Sequence, residues 1–336
     1  MTTPKLSHQT AWGRMYGRFV GDEPQVPSIT TVQGMDADDL PDPFSKLPEL
    51  GVRPQGSALV GWRARLVQDA TAAYLRNDEE TLRNQFPHVI AARERAAARS
   101  RKPDAIARAV RGAIAATPDV VADQAAQRGD RVHNLAELLG EWQLGNIDRF
   151  EVDQARADLD EHGEGDYASA LIDWWMRWNV KAIANEVTVW NHSIGVAGTL
   201  DTIFRIENHL YIGDFKTKSD RDGQAKPMQP KVGTQLVNGL HAQESVVDAD
   251  RGVWTEWKYS RPDGLVAIAV SPTEVVPKLI NPERYEQLWT KFCNNRRAWQ
   301  DHHDLDMRDV LKPIRPPASA ARWPDDLRVE LPPVAA

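Results

Sequence analysis

The sequence predicts an α/β (α+β) fold: a mixed central sheet flanked by helices, preceded by a helical N-terminal region. Three observations carry this expectation. Residues 195–218, GVAGTLDTIFRIENHLYIGDFKTK, read as two strands of apolar and β-branched residues around a two-residue turn at Glu207 and Asn208. Upstream, residues 57–182 read as a series of helices. Downstream, 253–258 and 265–270 read as further strands and 282–299 as a closing helix.

Length and composition narrow the classes. A chain of 336 residues fits one large domain or two smaller ones, and 41% hydrophobic residues suffice for a core. The net charge of -7 excludes a wholesale basic coat but leaves room for a local basic patch. A single cysteine, Cys293, excludes an intramolecular disulfide framework and a four-cysteine iron–sulfur cluster. No apolar run approaches the roughly 18 residues of a membrane span. The N-terminus, MTTPKLSHQT, lacks the apolar segment of a signal peptide. The expectation is a soluble cytoplasmic protein with no membrane partner. No internal repeat is visible.

Taken in order, residues 1–56 are rich in Pro, Gly and Asp, with 27–32 (PSITTV) as a short strand or ordered loop. Asp36, Asp38, Asp39 and Asp42 lack the glycine and terminal glutamate of a calcium loop and read as a solvated acidic loop. Helices follow from 57 to about 75 and from 79 to 100, and Pro103 reads as a breaker. Between 91 and 111 stand Arg93, Arg95, Arg99, Arg101, Lys102, Arg108 and Arg111, against Glu94 and Asp104. On an acidic protein this is the leading candidate for contact with a nucleic-acid backbone; the alternative is a solvated basic face. Thr117, Pro118 and Asp119 signal a helix start, with Gly140 and Gly145 as stops. His133 sits on that helix, with Glu137 one turn on along the same face, either supporting it or at the surface. Residues 146–182 are helical again; Trp174, Trp175 and Trp178 read as core rather than as stacking platforms for bases. The expected organisation is 1–116 as an N-terminal loop and helical region, 117–300 as the core, and 301–336 as a proline-rich, loosely ordered tail.

The hairpin places chemistry. If Ile206 faces His209, partner numbers sum to 415, and Asp201 lies opposite Asp214. Their Cβ atoms would then be roughly 4.5–5.5 Å apart, and like charges so placed destabilise a sheet. Keeping both requires a proton or a cation between them. Lys216 follows on the same face, about 6.5 Å along the strand. Two carboxylates and a lysine on one face suit divalent-metal phosphodiester chemistry. Glu186, in a strand at 186–190, would hold a water or second metal, or mark a strand edge. Gln235 falls on a helix at 231–244, beyond a polar loop at 219–230. Asp301, His302, His303 and Asp304 look like ligands but have no supporting motif and read as surface.

The ordered set of Gly129 and His133 (Gly-x-x-x-His), Gly198 to Asp201 (GTLD), Gly213 to Thr217 (GDFKT) and Gln235 resembles the PD-(D/E)XK nuclease superfamily. Within it, the match is to the RecB-type nuclease domain and related phage and CRISPR-adaptation exonucleases, over residues 125–300. The resemblance implies a restriction-endonuclease-like core. It implies Mg2+ or Mn2+ held by His133, Asp201, Asp214 and the backbone carbonyl of Phe215. Lys216 would orient the attacking water and offset phosphate charge, Gln235 would position the strand or the water, and Glu186 has an acidic counterpart. Two departures stand out: the iron–sulfur cysteines of several relatives are missing, and the tyrosine common four residues after the glutamine is Gly239. The implied function is a metal-dependent DNA exonuclease in phage or bacterial recombination, replication or repair. DNA is the implied partner, with a recombinase or single-strand-binding protein as a candidate second one. Rival readings are a structure-specific or restriction-type endonuclease, a non-catalytic DNA-binding recombination accessory protein, and an unrelated metal-dependent hydrolase. Intact Asp201, Asp214 and Lys216 weigh against the accessory reading.

Overall fold

A computed structural model of the chain describes residues 4–35, 55–220 and 222–305, and no side chains for 55–60. The expected acidic loop (Asp36, Asp38, Asp39, Asp42) and residues 306–336 of the expected tail lie outside the described residues.

The N-terminal segment is not a loop. It forms an antiparallel sheet of β1 (Ser7–Thr10), β2 (Gly13–Tyr16) and β3 (Val26–Pro27), then a short helix α1 (Ile29–Gln33). Ser28 caps α1, its Oγ accepting the Thr31 N–H at 2.9 Å. These short pieces are held from outside: Leu6 and Tyr16 pack on Trp190 and Ala197, while Ile29 and Val32 enter the main core.

Four helices follow: α2 (Gln55–Leu75), α3 (Glu79–Gln85), α4 (Pro87–Arg99) and α5 (Pro103–Leu144). Ala70, Ala73, Leu82, Phe86, Val89 and Ile90 form a separate core with Val110 and Ile114 of α5. Helix α5 has 42 residues, about 63 Å at the α-helical rise, with Pro118 inside it. The start signal at Thr117 and Pro118 is therefore overridden, and a boundary at 116/117 falls within a helix. The reason is packing on both sides. Thr117 is fully buried, bonded to His88 Nε2 at 3.0 Å and donating to the Ala113 carbonyl at 3.3 Å. Val110 and Ile114 continue the buried stripe upstream, so the hydrogen bond lost at the proline is outweighed. Pro103, read as a breaker, opens the helix, where a missing N–H costs nothing.

The stretch read as helical over 146–182 holds two helices, α6 (Arg149–Glu161) and α7 (Gly165–Arg177), around Gly163, whose φ is +70°. Trp174 and Trp175 are buried as expected, ring centroids 6.1 Å apart and edge-to-face. Trp178 is 47% exposed and is not core.

The main sheet holds β4 (Lys181–Asn191), β5 (Val196–Ile206), β6 (His209–Thr217), β7 (Glu244–Asp248), β8 (Val253–Glu256), β9 (Gly264–Val270) and β10 (Val275–Leu279). Their order is β10-β9-β6-β5-β4-β7-β8, antiparallel throughout except for β6 with β9. The expected helix at 231–244 is two short ones, α8 (Lys231–Leu236) and α9 (Asn238–His241), and the chain then enters β7. The chain closes with a 3-10 turn (Pro282–Arg284) and α10 (Tyr285–Asp304). Strand β10 escaped the sequence reading because it is an edge strand carrying Pro277, a residue tolerated there.

Helices cover both faces of the sheet. On one, α5, α6 and α7 bury Leu135, Leu159, Leu171 and Trp174 against Phe204, Phe215 and Ile268. On the other, α1, α8 and α10 bury Ile29, Leu236 and Phe292 against Ile203, Ile212 and Leu265. Strand β9 is buried along its whole length, as a strand covered on both faces must be. Among the described residues no helix is long and apolar enough to cross a membrane. Because Leu171 is fully buried between these layers, Leu171→Ala should lower the unfolding free energy by about 2–5 kcal/mol. Urea unfolding followed by circular dichroism measures it, with an unchanged m-value expected.

Candidate metal centre

The geometry begins with pairing. Strands β5 and β6 join Ile206 to His209 and Thr202 to Gly213, with Glu207 at φ +54° in the turn. One step further sets Asp201 opposite Asp214, where the recorded ladder stops. The Asp201 carboxylate accepts the Phe215 N–H at 2.9 Å. Between β4 and β5, pairing passes from Asn185–Thr202 to Val187–Leu200, which sets Glu186 opposite Asp201. Three carboxylates thus occupy one row across three neighbouring strands. Glu186 has a left-handed φ of +46°, a conformation that costs a non-glycine residue of order 1–3 kcal/mol.

Side chains reach this row from both helix layers. From α5, His133 places Nε2 2.8 Å from Asp201 Oδ2 and 3.2 Å from the Phe215 carbonyl oxygen. Its Nδ1 lies 3.7 Å from Glu186 Oε1. From α8, Gln235 donates Nε2–H to Asp214 Oδ1 at 2.7 Å. Within β6, Lys216 Nζ lies 2.7 Å from Asp214 Oδ1 and 2.6 Å from Oδ2, and 3.3 Å from the Phe215 carbonyl. Of the two carboxylate contacts, only that to Oδ1 has hydrogen-bond geometry. Asp214 Oδ2 is thus buried with an ion-pair partner but no hydrogen-bond donor.

The charges are tuned against one another. Burial opposes the charge of His133, but Asp201 and Glu186 outweigh it and raise the imidazole to about 10. Burial also opposes the Asp201 charge, yet His133, Lys216 and the Phe215 N–H bring it down to about 2. Burial dominates at Asp214, and with the Asp201 charge it pushes this carboxyl up to about 7 despite Lys216. Burial would lower Lys216, but Asp214 and Asp201 hold it above the usual lysine range. Glu137 is raised, first by burial and then by Glu186 and Glu141.

His133, Glu186 and Asp201 bring their ligand atoms within 4.8 Å of one another. This nitrogen-and-oxygen set can hold a divalent cation, and the donor-less Asp214 Oδ2 is a further oxygen on the same row. The sequence-derived ligand set is altered in two ways. Glu186, whose role was open, joins the triad. Asp214, expected beside His133 and Asp201, stands on their row and also bonds Lys216 and Gln235, so Gln235 orients a carboxylate where a strand or water contact was expected. The Phe215 carbonyl does point to the triad, through His133.

Beside the row is a cavity of about 230 Å³ lined by Glu186, Asp201, Lys216 and Gln235, and by Arg14, Tyr16, Ser28, Thr30 and Gln33 of the N-terminal segment. Those five were missed; the PSITTV run at 27–32 was the available signal. Tyr16 reaches in through its hydroxyl, 3.1 Å from Thr199 Oγ1, and burial raises its pKa. A larger cavity, about 500 Å³ between α5, α6 and α7, contains none of the row's residues.

The basic stretch stands apart. Arg93 is not free: its guanidinium pairs with Glu79, Nη1 to Oε1 at 2.5 Å and Nη2 to Oε2 at 3.1 Å. Arg95, Arg99, Arg101 and Lys102 are exposed on α4 and the turn before α5. Lys102 precedes His133 by 31 residues, roughly 46 Å along the helix axis. His302, His303 and Asp304 gather at the end of α10 with Trp12, His303 Nδ1 lying 2.9 Å from Asp304 Oδ1, away from the row.

No family model matches the chain, and no curated protein matches it. Twelve chains of solved structures do. One of them, titled "Crystal structure of SSO0001", is 14% identical, covers 50% of this chain and 73% of that chain, and gives a TM-score of 0.24. A likeness of that degree decides neither fold nor function.

The pKa directions make metal binding pH-dependent. Ligation needs His133 neutral and the carboxyls ionised. With His133 at about 10 and Asp214 at about 7, bound protons must leave, so affinity rises with pH. The metal-free protein behaves oppositely. Both folded values lie above their unfolded ones, so their contributions are fully present at low pH and are lost through about 7 for Asp214 and about 10 for His133. Melting temperatures at pH 6, 7.5 and 9 in chelator and in millimolar Mg2+ or Mn2+ should show a metal-induced rise that grows with pH. A rise independent of pH would exclude this ligand set.

Proposed function

We propose that this chain is a divalent-metal-dependent nuclease of the PD-(D/E)XK type that hydrolyses phosphodiester bonds in DNA, acting as an exonuclease of the RecB-like branch. The carrying observation is the row of Glu186, Asp201 and Asp214 across β4, β5 and β6, met by His133 from α5, Gln235 from α8 and Lys216 within β6. A mixed sheet covered by helices on both faces is compatible with a restriction-endonuclease-like core.

In this reading His133, Glu186 and Asp201 hold Mg2+ or Mn2+, and Asp214 Oδ2 offers a further oxygen. The metal, when bound, polarises the scissile phosphate and lowers the pKa of the attacking water. The chain's own groups do the rest. Lys216, held protonated by Asp214 and Asp201, is a poor base and a good cation. It faces the cavity and offsets charge that builds on the phosphate oxygens. Gln235 fixes Asp214 Oδ1, which leaves Oδ2 aimed away from its one hydrogen-bonded side. Arg14, on the opposite wall, adds a second cation for an anionic substrate.

The deciding assay incubates end-labelled linear DNA and closed circular DNA with Mg2+ or Mn2+, with and without chelator. Linear DNA reduced to nucleotides while circles survive supports the exonuclease; cleavage of both makes it an endonuclease. Binding without cleavage replaces the reading with the accessory role. Lys216→Ala should lower the cleavage rate by about 10²–10³ or more, the loss typical of removing one group that stabilises transition-state charge. Near wild-type cleavage by this variant would defeat the assignment of Lys216.

A further inference from the structure

Three lysines with no carboxylate partner gather beside the cavity. Lys218 follows the end of β6, two residues beyond Lys216. Lys226 is laced to it by backbone, its N–H donating to the Lys218 carbonyl at 3.3 Å, and a bridge joins Ser219 to Ala225. Lys231 opens α8, and its carbonyl accepts a hydrogen bond from Gln33, a residue of the cavity wall. Lys218 is half-buried, while Lys226 and Lys231 are exposed. The acids nearby bond backbone N–H groups rather than the lysine ammoniums. Asp220 Oδ1 accepts the Asp222 and Gln224 N–H groups, both at 2.9 Å, and Glu274 Oε1 accepts the Ala225 N–H at 3.2 Å. Among the described residues none of the three lysines forms an ion pair.

This arrangement is repulsive as it stands. Burial lowers the Lys218 pKa, and Lys231, Lys226 and Lys216 lower it further. A chain with a net charge of -7 has carboxylates to spare, yet the backbone sets Lys226 beside Lys218, and Lys231 is tied to Gln33 of the cavity wall, with no ion pair to any of the three among the described residues. Such a cluster is relieved by a ligand with several negative charges at regular spacing. A phosphodiester backbone is that ligand, and the continuity with Lys216 and Gln33 gives it a direction.

We propose that Lys218, Lys226 and Lys231 form a phosphate track that guides one nucleic-acid strand into the cavity at Lys216. The inference rests on the nuclease reading and adds to it a substrate-binding surface separate from the basic residues of α4. It assigns the strand entering the site to this edge of the cavity.

The test uses the full chain in chelator, so that nothing is cut, and a fluorescein-labelled 15-nucleotide oligodeoxythymidylate as probe. Anisotropy gives affinity across a salt series for wild type and for the triple variant Lys218→Gln, Lys226→Gln, Lys231→Gln. Each phosphate contact with a single strand contributes about 0.7 to the log–log salt slope, so the triple variant should lose about 2 from it and bind at least about tenfold more weakly at low salt. If the triple variant melts early, Lys226→Gln and Lys231→Gln, both at exposed positions, carry the test singly, each with an expected slope loss of about 0.7. Wild type that cuts DNA and binds the probe, beside variants with unchanged slope and affinity, overturns the track and leaves the nuclease reading standing. Wild type that neither cuts DNA with metal nor binds the probe overturns both.

Discussion

Two ion pairs, the buried His133 with Asp201 and the half-buried Lys216 with buried Asp214, are the condition on which the centre of this molecule rests. An unpaired carboxylate at either aspartate would cost several kcal/mol of desolvation. Each is answered by one cation, and the two cations have different origins. Lys216 comes from the same strand as its partner. His133 comes from α5 and reaches Asp201 only because Leu135, Ala136 and Leu139 seat that helix on the sheet. The apolar layer and the electrical balance are therefore one requirement. Buried pairs of this kind add little net stability over apolar packing. What they contribute here is placement, because each fixes the atom that its carboxylate has left to offer.

The cavity beside the row belongs to two distant parts of the chain. One wall is the β4–β6 row with Gln235; the other is the first 35 residues, through Arg14, Tyr16, Ser28, Thr30 and Gln33. Tyr16 and Thr199 bond at 3.1 Å across 183 residues of sequence, and Thr199 bonds Thr188 at the same distance. The small N-terminal sheet is thus continuous with the candidate centre through hydroxyl groups, which lose neither charge nor reach between acidic and neutral pH.

How much of this was legible follows from the range of each interaction. Asp201 opposite Asp214 was readable because a two-residue turn and a period of two fix every later partner. Glu186 opposite Asp201 was not, because β4 carries an irregularity between Ala182 and Ala184 and Glu186 itself adopts a left-handed backbone. His133 was found through its motif, but the length of its helix was hidden: Thr117 and Pro118 are a local start signal that buried contacts override. Arg93 looked free because its partner, Glu79, lies 14 residues away on another helix. Strands β1 and β2 were invisible, since Leu6 and Tyr16 meet their apolar partners at Trp190 and Ala197.

The turn at Glu207 and Asn208 touches no member of the row, yet it sets the parity of the whole centre. One codon gained or lost there would slide β6 by one residue against β5. A gain would set Gly213 and Phe215, and a loss Phe215 and Thr217, where the carboxylate and the ammonium now stand. Such a chain would keep every acid in its sequence and lose the centre. The number of residues between Asp201 and Asp214 is therefore as much a part of the centre as the two aspartates themselves.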